Sequence, residues 1–177
     1  MYIKSIFLSG TVQGGRGKIC QRGEIIIRDG TFILKHQFCN INKRFFLERI
    51  VNENSESKIL VFVRTKVRAE RVKKAMGRVA IESITIHGDK DQRDRNLVMN
   101  QFKSGEVKLL IATDVSARGI DIPDVDIVIN YDLPDKDENY VHRVGRTGRG
   151  KNKGNAYSFC SKEEEEMLLD IQEFLGE

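Results

Sequence analysis

The stretch Leu109-Leu110-Ile111-Ala112-Thr113-Asp114-Val115-Ser116-Ala117-Arg118-Gly119-Ile120-Asp121 decides the fold. An unbroken apolar run of this length reads as a strand covered on both faces, and a dense polar motif starts where it ends. A second run, Ile127-Val128-Ile129-Asn130-Tyr131, follows closely, and the region closes on His142-Arg143-Val144-Gly145-Arg146-Thr147-Gly148-Arg149. Arg143, Arg146 and Arg149 recur every third residue, and Gly145 and Gly148 keep the backbone between them open. A planar guanidinium offers forked donors and does not lose its charge, so this spacing reads as a grip on phosphoryl oxygens. A plain basic face would carry Lys as readily and would not need the glycines.

Outward from this stretch, apolar runs alternate with amphipathic segments. Ile59-Leu60-Val61-Phe62-Val63 predicts another doubly covered strand, followed by a helix over Thr65 to Met76. A strand over Ser83 to Ile86 leads into a helix over Asp91 to Phe102, ended by Ser104-Gly105. Upstream, Lys35 to Ile41 predicts a strand, and Asn42 to Asn54 a helix with Phe46, Leu47, Ile50 and Val51 on one face. Downstream of the break at Pro134, Asp137 to Arg146 predicts a helix and Asn155 to Cys160 a strand. Ser161 and Glu164 form a capping box that opens a last helix with Met167, Leu168, Ile171, Phe174 and Leu175 as its apolar stripe. This alternation implies an α/β fold, a parallel sheet with helices on both faces. Arg64-Thr65, His87-Gly88 and Thr113-Asp114 would then lie together at the carboxyl ends of strands, the edge where open α/β sheets bind ligands.

At 177 residues the chain can bury one core, and 40% hydrophobic with 32% charged residues describes an ordinary globular protein. The net charge of +4 leans toward a polyanionic partner. Its placement says more: the segment from His142 to Gly154 is basic without an acidic residue, whereas Glu163 to Glu166 is an acidic run that reads as a solvated helix start. Cys20, Cys39 and Cys160 show neither a disulfide framework nor metal-ligand spacing, so no metal site is expected and a reducing, cytoplasmic compartment fits. No apolar stretch approaches the roughly twenty residues that cross a bilayer, so no membrane association is expected. Gly14-Gly15-Arg16-Gly17-Lys18 is not a P-loop: Val12 and Ile19 stand where Gly and Ser or Thr are needed. That segment reads as a basic arm. Residues 1 to 34, with a possible hairpin from Glu24 to Lys35 turning at Asp29-Gly30, form an N-terminal extension of uncertain role.

Residues from about 35 to 177 resemble the second RecA-like lobe of a DEAD-box RNA helicase, a superfamily 2 helicase. Ile59 to Thr65 resembles motif IV; His87-Gly88 with Gln92 and Arg95 resembles the QxxR element. Thr113 to Asp121 resembles motif V, and His142 to Arg149 resembles motif VI in its HRxGRTGR form. The wording of Val61 to Arg68 and Asp114 to Pro123 is similar to the bacterial RhlE branch. The resemblance implies a P-loop NTPase-like lobe without its own P-loop, working with an N-terminal RecA-like lobe of the same protein that holds most of the ATP and its Mg²⁺. It implies Arg146 and Arg149 as arginine fingers on the γ-phosphate, Gly119 and Asp121 at the nucleotide ribose, and His142 at the lobe interface. It also implies Thr65, Gly88, Gln92, Arg95 and Thr113 on the RNA backbone. The isolated lobe is expected to be a monomer without ATPase activity of its own.

With no Trp and only 7% aromatic residues, the chain offers little for base stacking, so RNA binding without sequence preference is expected. A DNA-directed superfamily 2 lobe and a freestanding binding module are the rival readings. The motif VI wording and the Gln92/Arg95 pair favour RNA. Complete arginine fingers would be unnecessary in a module without catalysis.

Overall fold

The computed structural model describes residues 3–8, 23–27, 43–118, 122, 125–148 and 154–175. Its sheet has seven strands in the order β2-β1-β7-β6-β3-β5-β4. The core of the sheet is β3 (Ile59–Val63), β4 (Ile84–Ile86), β5 (Leu109–Thr113), β6 (Ile127–Asn130) and β7 (Gly154–Phe159), all parallel to their neighbours. Register pairs Val61 with Ile111 on one side and with Ile129 on the other. Every residue of β3, β5 and β6 is buried, as continuous apolar runs require in a sheet covered twice.

Strand alternation divides these residues between two cores. Leu60, Phe62, Leu110, Ala112 and Val128 pack with Val98, Met99 and Phe102 of α3 (Gln92–Ser104), Tyr140 of α5 (Asp137–Val144) and Leu168 and Ile171 of α6 (Glu165–Phe174). Ile59, Val61, Val63, Leu109, Ile111, Ile127 and Ile129 face Phe46, Leu47 and Ile50 of α1 (Lys43–Glu53) and Ala69, Val72 and Met76 of α2 (Lys66–Gly77). The two-residue period of a strand thus feeds one helical layer on each face. Among the described residues, no helix is long and apolar enough to cross a membrane.

Local signals set the ends of these elements. Thr65 caps α2, its hydroxyl accepting from the Arg68 amide at 3.1 Å, and Asp91 caps α3 by accepting from the Asp94 amide at 2.7 Å. Gly105 ends α3 at φ 80°, a left-handed conformation that glycine adopts without steric cost. The polar segment after β5 differs from expectation in winding at once into a short helix, α4 (Asp114–Arg118). Glu164 does accept from the Ser161 amide at 3.0 Å, as a capping box requires. However, residues Lys162–Glu164 wind as a 3₁₀ turn, and α6 starts only at Glu165.

The N-terminal segment contributes two strands. β1 (Ile3–Leu8) runs parallel to β7, and β2 (Gly23–Ile27) pairs antiparallel with β1 at the sheet edge. The turn expected at Asp29-Gly30, the basic arm from Gly14 to Lys18 and the strand expected from Lys35 to Ile41 lie outside the described residues.

Candidate nucleotide and nucleic-acid edge

The three arginines expected to act together are not equivalent. Arg143, on the last turn of α5, is only 2% exposed. Its Nε and Nη2 donate to the two carboxylate oxygens of Asp114 at 2.6 and 2.7 Å. Its Nη1 donates to the Asp132 carbonyl at 2.7 Å and to Asn130 Oδ1 at 3.3 Å, and the guanidinium lies 5.0 Å from the centroid of the Phe62 ring. A forked, buried contact of this kind leaves no face for a phosphate, which corrects the reading of Arg143 as part of the grip. What it does is join the segment after β5 to α5.

Arg146 follows in the turn after α5 and is half-buried, while His142 is exposed. Together with Asp114, Asn139 and Arg143, they line a shallow hollow. The turn is held in place from below. The Arg146 carbonyl accepts from the Val125 amide at 3.0 Å, and the Thr147 hydroxyl donates to the Val125 and Asp126 carbonyls. Gly154, at the start of β7, packs so closely that an added Cβ would fall 2.2 Å from Thr147 Oγ1 and 2.4 Å from the Gly148 amide nitrogen. Gly119, Asp121 and Arg149 lie outside the described residues.

The other expected contacts stand where β3, β4 and β5 end. Because these strands are parallel neighbours in the order β3-β5-β4, Thr65, Gly88 and Thr113 share one edge of the sheet. Thr65 is exposed but uses its hydroxyl as the α2 cap. Gly88 is exposed, and a Cβ there would meet nothing within 4 Å, so internal packing does not require a glycine at this point. Gln92 is exposed and donates to Asn96 Oδ1 at 3.0 Å. Arg95 folds back to donate to the Gly88 carbonyl at 3.2 Å, while its buried Nε has no partner. Asp91 already caps the amino end of α3 and Asp94 adds a second acid in its first turn, so positive charge at this corner has to come from side chains rather than from the helix terminus. Thr113 is 7% exposed, with its hydroxyl 3.0 Å from Ser116 Oγ.

A second ion cluster went unforeseen. Asp132, just past β6, accepts from both Nε and Nη2 of Arg68, from Lys43 at 3.3 Å and from the Arg64 amide at 3.2 Å. Burial by itself would raise its carboxyl pKa, but these donors hold it below the usual carboxylate range. Glu164 is 4% exposed and binds Lys43, Arg64 and the Leu133 and Ser161 amides. The acidic run is therefore not uniformly solvated: Glu163 and Glu166 are exposed, but Glu164 is a buried hub. Its capping position was the available signal, and Asp132 announced itself only as a carboxylate directly after an apolar run. Burial, with Glu164 nearby, pushes the Cys160 thiol up to about 12, which keeps it protonated and unreactive.

With this geometry in hand, comparison with known proteins is informative. A family model described as the helicase conserved C-terminal domain matches residues 42–151. The chain is 44% identical over 135 residues to the ATP-dependent RNA helicase DbpA of Bacillus subtilis (strain 168), covering 76% of this chain and 28% of that protein. It is 45% identical over 131 residues to the probable ATP-dependent RNA helicase DDX17 of Mus musculus, covering 72% of this chain and 20% of that protein. The chain thus spans well under a third of these relatives. Among solved structures, the C-terminal domain of the DEAD-box protein Dbp5 superposes with a TM-score of 0.70 at 36% identity, covering 77% of this chain and 81% of that one. The E. coli DEAD-box protein SrmB, bound to regulator of ribonuclease activity A, gives 0.71 at 33% identity, covering 75% and 78%.

Proposed function

The chain belongs to the helicase conserved C-terminal domain family, and from that membership we propose that it is the second RecA-like lobe of a DEAD-box ATP-dependent RNA helicase. One observation carries the reading. The Arg143–Asp114 clamp ties the sheet edge bearing Thr65, Gly88 and Thr113 to the α5 turn bearing His142 and Arg146. A lobe that must register RNA on one side and nucleotide on the other needs such a rigid link between them.

On this reading Arg146 and Arg149 neutralise charge on the phosphoryl group in transfer, and Gly119 and Asp121 meet the ribose. Arg146 and His142 line the same hollow, which would face a triphosphate presented from outside. ATP and its Mg²⁺, held mainly by a first lobe, supply the phosphoryl group and its counter-charge. His142 orients the lobe interface, and Arg143 holds the α5 turn in position without touching nucleotide. RNA lies along the carboxyl edge, where the open space at Gly88 lets a phosphate approach the backbone and Gln92, Arg95, Thr65 and Thr113 supply donors. The first lobe of the same protein and RNA are its partners. The wording of Val61 to Arg68 and Asp114 to Pro123 supports the RhlE branch, and the cysteine pattern fits a reducing cytoplasm.

The test joins this chain to a DEAD-box first lobe and measures ATP hydrolysis with RNA, with DNA and with neither. RNA-stimulated turnover by the joined protein, with none above background from this chain alone, is the expected result. Turnover by the chain alone would overturn the assignment, and equal stimulation by DNA would favour a DNA-directed helicase.

A further inference from the structure

α2 has the sequence KVRAERVKKAMG, in which Glu70 is the only acid. On and near this helix, Glu70, Asp89 and Asp132 are already engaged, while Glu163 and Glu164 line an adjoining hollow with Arg71. Glu70 accepts from Thr85 at 2.6 Å and pairs with His87 at 3.1 Å. Asp89 pairs with Lys66 at 2.8 Å, and Asp132 holds Arg68. Lys73 lies close enough to Glu70 to lower its pKa. That leaves Arg71 and Lys74, both exposed and with side chains in no ion pair or hydrogen bond among the described residues. They stand one turn apart on the same face.

These two residues line a groove of about 380 Å³ with Lys66, Val67, Glu70, His87 and Asp89. One wall is α2; the other is the turn that carries Gly88, so the groove continues directly from the proposed RNA edge. Thr65, at the head of α2, stands at the same corner. Val67, 53% exposed, adds an apolar surface on which a ribose can rest.

We infer that the groove between α2 and the turn after β4 holds a further stretch of single-stranded RNA backbone, with Arg71 and Lys74 on its phosphates. The inference rests on the RNA reading above. Uncompensated cations beside a phosphate track attract the next phosphates of the same strand, because each contact releases condensed counterions. Continuity with the proposed RNA edge favours a nucleic-acid strand over an acidic peptide.

The experiment measures binding of this 177-residue chain to unstructured RNAs of about five and about fifteen nucleotides over a range of salt concentrations. In the variant Arg71→Gln/Lys74→Gln, the longer RNA should bind more weakly, and its log–log salt slope should shrink by about 1.4, roughly 0.7 for each lost single-strand contact. Binding of the short RNA should be unchanged. The control Lys58→Gln/Lys108→Gln removes the same charge from residues that precede β3 and β5, at the opposite edge, and should change neither. An unaltered slope with the longer RNA, while the short one still binds, overturns this inference alone. An equal loss in the control shows that net charge rather than the groove acts, which also overturns it. If the unaltered chain binds neither RNA, the RNA reading falls, and this inference with it. An acidic peptide that competes with the short RNA no better than with the long one, yet loses affinity in the groove variant, would assign the groove to protein instead.

Discussion

The end of α5 and the start of α2 look alike in sequence, each with basic residues at short intervals beside a polar strand end. In the structure each divides in the same way. One arginine is taken up by a carboxylate delivered from a distant strand end, Arg143 by Asp114 and Arg68 by Asp132. Another is left outside that contact, Arg146 at the first site and Arg71 at the second. The sites differ in depth. The Arg143 side chain is 2% exposed, whereas that of Arg68 is 45% exposed. Desolvation makes the first pair costly to break, while water partly replaces the second. Depth and a carboxylate within reach therefore decide whether an arginine acts as cement or as a ligand-binding group.

The largest effect should come from Arg146, in the turn after α5. In this chain joined to a DEAD-box first lobe, Arg146→Lys should lower single-turnover hydrolysis by about 10³, toward the mild end of what losing an arginine finger costs, since Lys keeps the charge but not the fork. Nucleotide affinity by titration and thermal stability should stay near their original values. If stability falls instead, Arg146 is cement like its neighbour and the comparison breaks.

Arg143→Gln should do the reverse. Removing one partner leaves Asp114, 23% exposed, without its guanidinium, a loss of about 3 kcal/mol, the low end for a broken buried pair, in denaturant unfolding of this chain. Because so large a loss can prevent folding, the isosteric pair Arg143→Met/Asp114→Leu sharpens the test. It should recover much of that stability, since no lone charge remains.

At the α2 site the effects are smaller. Arg68→Met should cost about 1–2 kcal/mol, less than at Arg143 because Lys43 and the Arg64 amide still donate to the buried Asp132 carboxylate. The acid limb is the sharper readout. Asp132 is held below the usual carboxylate range in the folded chain, so its contribution is present above the unfolded carboxylate pKa and is lost as pH falls through the folded value. In Arg68→Met the folded value rises toward the unfolded one, and acid unfolding should begin at a higher pH. An unshifted acid limb would mean that Lys43 and Arg64 suffice.

The smallest effect belongs to Thr65. Thr65→Ala should remove the α2 cap at a cost of about 0.5–1 kcal/mol, and Thr65→Asp, which keeps a capping oxygen, should restore it. If Thr65 also touches RNA, the Asp variant should regain stability but not RNA affinity.

Most of the fold could be read from pattern. Continuous apolar runs at Ile59–Val63 and Leu109–Ala112, helix starts at Thr65 and Asp91 and the glycine stop at Gly105 are local signals, and all reappear as structure to within a residue. The shared edge of Thr65, Gly88 and Thr113 followed from parallel pairing alone. Partner choice could not be read. Arg143 and Asp114 are 29 residues apart, and Lys43 and Glu164 are 121 apart. Nothing in their spacing says which carboxylate a guanidinium or ammonium will meet. The placement of β1 beside β7, with β2 at the edge, was hidden for a related reason: a short apolar run specifies a strand but not its neighbour.

The sequence by itself determined the alternation of strands and helices, the doubly covered sheet and the edge where polar motifs gather. These depend on periodicity and capping, which act between residues close in the chain. Only the tertiary structure decided which basic groups are sealed and which remain outward, making Arg143 a clamp, Glu164 a buried hub and Arg71 and Lys74 uncompensated cations. That distinction depends on burial and on carboxylates brought from remote strand ends, and the cost of desolvating a charge is set by the three-dimensional surroundings rather than by its neighbours in sequence.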